Sequence, residues 1–231
     1  MALHFRDGFG DLQFREARRN IMTKKIAREP RWHAFVAMVA AAFLYLALPE
    51  PLSVGPSWGL LAIIFVLMIP LVVSWRRGDY DITKTLTFIA NGIITAAMIA
   101  SLVVLIYGIP KHTESPQALL RSAVSLWFTN VLVFALWYWK LDAGGPLVRD
   151  SSRGRLDSSF LFPQMMNQSG EYAEWSPNFI DYLFLAFNTS TAFSPTDTAV
   201  LSRWAKLGMM VQSIISLTIV ALLAARAVNI L

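Results

Sequence analysis

The sequence predicts an all-α, polytopic transmembrane helical bundle of five spans plus a re-entrant or sixth helix. Three observations predict it. Trp58–Trp75, Thr85–Ile109, Ser122–Trp139 and Leu207–Ala225 each run 18 residues or more without a charged side chain. At about 1.5 Å per residue, roughly 20 apolar residues cross the hydrocarbon core of a bilayer. The chain is 55% hydrophobic and only 15% charged, where a soluble domain carries about a quarter. Basic residues also gather in the connections on one side of these runs, as membrane topology requires.

Each segment follows in order. Residues 1–32 form a basic tail; eight Lys/Arg precede Trp32 and no apolar run follows at signal-peptide distance, so a cleavable leader is not expected. Residues 33–139 form a four-span region. Its first span, His33–Leu48, is short and alanine-rich and closes at Pro49-Glu50-Pro51. Pro70 falls inside the second span, where a membrane helix tolerates proline as a passive kink. Residues 140–176 are rich in Ser, Gly, Asp and Arg without helical or strand period, which predicts a mostly irregular cytoplasmic loop. Its apolar knot Phe160-Leu161-Phe162-Pro163 is expected on the membrane surface. Residues 177–231 form a helix–polar loop–helix module.

Charge sets the orientation. The tail, the turn after the second span (Arg76, Arg77, Lys84) and the 140–176 loop hold fifteen basic residues, against Lys111 and Arg121 on the other side. The positive-inside rule then puts the N-terminus in the cytoplasm. Trp58, Trp75, Trp137, Trp139, Trp175 and Trp204 lie at segment ends, where interfacial anchors belong. The formal net charge of +5 is accounted for by this bias, so no nucleic-acid partner is expected; the lipid bilayer is.

Much chemistry is excluded as an expectation. Cysteine is absent, and His4, His33 and His112 are scattered, so neither a disulfide nor a metal centre is expected. There is no glycine-rich phosphate loop, no serine elbow and no carboxylate pair outside a polar loop. No catalytic residue and no cofactor is expected, and the chain is not read as an enzyme.

The candidate functional residues lie near the C-terminus. After the apolar run Tyr182–Phe187 come Asn188, Thr189, Ser190, Thr191, Ser194, Thr196 and Asp197 within ten residues. A lipid-facing helix does not carry that density of polar groups, so the stretch is buried in protein or lines water. Either a sixth span or a re-entrant helix fits the charge count. In the last span, Gln212, Ser216 and Arg226 fall within about 80° of one another at about 100° per residue. Arg226 either snorkels to the interface or acts inside the bundle, with Asp181 and Asp197 as candidate partners.

The stretch Tyr182–Leu207 (YLFLAFNTSTAFSPTDTAVLSRWAKL), with Ser125–Trp139 upstream, resembles the C-terminal signature of a bacterial inner-membrane domain-of-unknown-function family. The resemblance covers roughly residues 117–231; it implies a polytopic fold in a bacterial inner membrane and no particular activity. Phe179–Phe187, Thr189–Asp197 and Trp204–Leu231 are also similar in order to the pore helix, filter and inner helix of two-span potassium channels. Ala192-Phe193-Ser194 stands where that filter has glycine–tyrosine–glycine, which argues against potassium selectivity.

Two expectations of function follow. The hydroxyls from Asn188 to Asp197, facing Gln212, Ser216 and Arg226, replace water around an ion or small polar solute, in a homo-oligomer if the path is a pore. The alternative is a non-transporting structural or accessory subunit whose hydroxyls join helices.

Overall fold

The computed structural model describes residues 32–53, 55–108, 116–149, 158–166, 175–191 and 197–228. Six helices dominate: α1 (Trp32–Tyr45), α2 (Gly59–Arg77), α3 (Tyr80–Gly108), α4 (Pro116–Leu141), α5 (Phe179–Thr191) and α6 (Arg203–Val228). Among the described residues, α2, α3, α4 and α6 are long and apolar enough to cross a membrane. The expected first span is a shorter helix, the 14-residue α1.

The local reasons are visible in the sequence. Buried residues of α1 fall at Ala34, Ala37, Met38, Ala41, Ala42 and Tyr45, a three-and-four spacing that makes one stripe. Its alanines let neighbouring backbones approach closely, which is how helices associate when lipid is as apolar as the core. α2 runs unbroken through an exposed Pro70 and stops at Gly78, whose φ of 78° suits glycine. Arg76 and Arg77 occupy its last turn, where the helix dipole favours cations. The hairpin into α3 is tied by Ser74 Oγ and Thr83 Oγ1, each donating to Asp79 O at 2.8 Å.

α4 is the axis of the bundle: two-thirds of its apolar window is buried, against 17% for α6. It packs against α1, α3, α5 and α6. Ring contacts fix directions. Phe35 of α1 meets Trp75 of α2, Phe179 of α5 meets Trp139 of α4, and Trp204 of α6 meets Phe160. The starts of α1, α3, α5 and α6 and the ends of α2 and α4 therefore share one end, here termed basal. At the other end Ser101 Oγ of α3 donates to Tyr45 Oη of α1 at 3.5 Å.

The described residues of the 140–176 segment, 140–149, 158–166 and 175–176, depart in part from the expected irregular loop. α4 continues to Leu141, and a tight turn follows in which Ala143, Gly144 and Gly145 all take positive φ. Phe160–Leu161 pairs antiparallel with Ala199–Val200, with Phe160 opposite Val200. The apolar knot does not lie on the membrane surface: Phe160 is fully buried and Phe162 nearly so. Tyr138, Tyr182 and Trp204 surround Phe160, so the knot joins the protein core because its partners are aromatic rings rather than lipid tails.

α5 runs antiparallel to α4, from the Trp139–Phe179 contact to that between Trp127 and Phe187. Eight residues beyond Thr191, the chain is back at the basal end, paired to Leu161 through Ala199.

Candidate functional site

The predicted polar cluster resolves into a network joining α4, α5 and α6. Gln212 sits at its centre, fully buried. Tyr138 Oη of α4 donates to its Oε1 at 2.7 Å. Its Nε2 donates to Ala186 O at 2.7 Å and to Ser190 Oγ at 2.8 Å, both on α5. One turn along α6, Ser216 Oγ accepts from Asn130 Nδ2 of α4 at 2.8 Å, and the same nitrogen reaches Gln212 O at 3.2 Å. Three helices are thus held by two amides, and each bond is one that hydrocarbon could not replace.

The other predicted residues divide. Asn188, Thr189 and Ser190 are buried. Thr189 Oγ1 donates back to Leu185 O at 2.8 Å, and its own carbonyl accepts from Ser213 Oγ at 3.2 Å. Thr191 is half-buried, and its hydroxyl donates to Asn188 O at 2.9 Å. Asp197 is exposed, two residues ahead of the basal strand pair, so it does not join the network. Ser194, Thr196 and the side chain of Arg226 lie outside the described residues.

The backbone of Arg226 lies far from its two candidate partners, Asp181 and Asp197. Asp181 stands in the first turn of α5, where its Oδ2 accepts from Asn178 N at 2.8 Å. That is the basal end, whereas Arg226 lies 23 residues into α6, about 35 Å away along the axis.

Several residues of consequence escaped the sequence reading. Asn130 and Tyr138 supply the α4 side of the network, and a second cluster centres on Asp142. This carboxylate is fully buried. Its Oδ2 accepts from Ser158 Oγ at 2.9 Å and from Tyr182 Oη, and its Oδ1 accepts from Ser159 N. Arg149 Nη1 donates to Trp139 O at 2.7 Å and Asp142 O at 3.0 Å, and its guanidinium lies 4.9 Å from the centre of the Tyr182 ring. The signal available was Asp142 itself, an acid directly after an apolar run. Nothing local names Ser158, Ser159 and Tyr182 as its donors.

Chemically, these two clusters bind helices to one another. The hydroxyls of Thr189 and Thr191 are spent on backbone carbonyls and Gln212 uses both of its N–H donors. Asn130 Oδ1 is a buried acceptor without a donor, which a carbonyl tolerates better than an N–H would. Among the described residues no group of three or more His, Cys, Asp or Glu could hold a metal ion. No family model, curated protein or solved structure matches this chain.

Proposed function

We propose that the chain is a multi-pass protein of a bacterial inner membrane, a non-transporting structural or accessory subunit whose C-terminal hydroxyls clamp helices. The observation that carries this reading is the saturation of Gln212 by Tyr138, Ala186 and Ser190. A permeation path must offer a solute the hydrogen bonds that water would otherwise give it. Here Gln212 and Ser190 are committed across helices, while the hydroxyls of Thr189 and Thr191 donate to carbonyls within α5.

The topology of this reading is five spans with α5 re-entrant. At 13 residues α5 rises about 20 Å, as little as the 14-residue α1, so its flanks rather than its length decide. Both of its flanks lie at the basal end, which supports a helix that dips in and returns. α1 belongs to the crossing set because it links the basal contact at Trp75 to the distal one at Ser101. Arg76, Arg77, Lys84, Lys140, Arg149, Arg203 and Lys206 all belong to basal segments, against Arg121 and Arg226 towards the distal end. That bias favours a cytoplasmic basal end and N-terminus. The likeness of Tyr182–Leu207 to a bacterial inner-membrane family is the ground for choosing that membrane.

Flux measurement on purified protein in liposomes tests the reading. Wild-type vesicles are expected to pass potassium, chloride and glycerol no faster than protein-free vesicles. A protein-dependent flux abolished by Thr191→Val or Asp197→Asn would overturn the proposal and give the polar stretch a conducting role.

A further inference from the structure

The basal end holds a cleft that neither polar cluster uses. It lies among the start of α1, the first turns of α3, the end of α4 and the Gly144–Pro146 turn, is open on one side, and holds a cavity of about 70 Å³. Lys84 and Lys140 both line it, together with Ala34, Phe35, Met38 and Trp139. No carboxylate stands among its described lining residues.

Lys140 is 7% exposed. Its Nζ donates to Lys84 O at 3.1 Å and lies 4.2 Å from the centre of the Phe88 ring. One carbonyl and one ring face leave an ammonium with donors to spare. A buried cation without an anion is costly, and a second cation on the same cleft raises that cost. The hydroxyls of Thr83 and Thr87, which donate to the carbonyls of Asp79 and Thr83, carry no negative charge to offset it. Gly144 and Gly145, at φ of 78° and 99°, leave one wall as bare backbone.

We propose that this cleft seats an anionic phospholipid, its phosphate held by Lys84 and Lys140 and its acyl portion lying against Phe35 and Tyr80. Cations joined to an apolar wall, at the helix ends where headgroups lie, match an amphiphile; a free phosphate gains nothing from the apolar residues. A zwitterionic lipid brings its own cation towards two ammonium groups, so net negative charge is selected. The proposal rests on the membrane placement above and is independent of whether the C-terminal network conducts, so a positive flux assay leaves it intact.

Native mass spectrometry of the full chain, released from micelles holding equimolar phosphatidylglycerol and phosphatidylcholine, tests it. The first bound lipid is expected to be phosphatidylglycerol by about tenfold or more. Lys84→Gln removes an exposed ammonium without opening the core and is expected to cut that preference about fivefold; adding Lys140→Met is expected to abolish it. Arg76→Gln with Arg77→Gln, on the adjacent turn, is expected to leave it unchanged. Equal retention of the two lipids would overturn the proposal, as would a preference that follows Arg76 and Arg77 instead. Displacement of phosphatidylglycerol by millimolar inorganic phosphate would reassign the cleft to a soluble anion. Should the Lys140 variant fail to fold, an undiminished preference in Lys84→Gln refutes the assignment.

Discussion

A single amide shows how this protein spends its polar atoms. Gln212 touches Tyr138 on one helix and Ala186 and Ser190 on another, so Gln212→Leu keeps the apolar bulk and strips three bonds. Tyr138 and Ser190 are then left buried with lost partners. Interhelical hydrogen bonds in membranes are each worth about 1 kcal/mol, because the unfolded chain in lipid also finds partners. The variant is expected to lose about 1–2 kcal/mol in denaturant titration in micelles; unchanged stability would show that the clamp holds nothing. Asn91 is the opposite case. It is fully buried in α3 with neither amide atom hydrogen-bonded. Replacing an orphaned amide by a hydrocarbon of similar size relieves a desolvation cost. Asn91→Leu is therefore expected to leave stability unchanged or raise it by up to about 1 kcal/mol. A clear fall would reveal a partner for that amide.

At the scale of elements, the question is which way the chain leaves α5. The absence of cysteine makes the answer measurable with single substitutions. Ser176→Cys and Ser202→Cys, flanking α5 and its return, are expected to resist a membrane-impermeant maleimide applied to intact cells, while Ser57→Cys reacts. Labelling of Ser202→Cys from outside, with Ser176→Cys protected, would make α5 a full span. Much of the helical framework was legible in the sequence, because α2, α3, α4 and α6 announce themselves as charge-free runs and α1 is delimited by Pro49. The site was legible in composition only. Asn188, Thr189, Ser190, Gln212 and Ser216 drew notice as polar groups at membrane depth, but residue type does not tell whether a hydroxyl meets water or a carbonyl. The deciding partners, Tyr138 and Asn130, lie more than seventy residues away from Gln212 and Ser216. Phe160 was misplaced for a related reason: hydropathy scores burial in lipid and burial in protein alike.

The whole molecule is asymmetric in two directions. Across the bundle, α4 is enclosed while α6 exposes Leu207, Met210, Val211, Ile214, Leu217 and Val220, as a helix bathed in acyl chains would. Along the bundle, the aromatic layer, the buried Asp142 and the cationic cleft all sit at the basal end. The two-residue strand pair belongs to that end as well, and it joins segments about forty residues apart in sequence. On a ribosome, Phe160 emerges well before Val200, so this clasp cannot close until Val200 has been made. α5 must therefore wait, inserted or not, for a partner still being translated. The order of synthesis thus makes the basal latch a late event in biogenesis, and a nascent chain truncated before Val200 would carry its Phe160 ring without the closure that seals it.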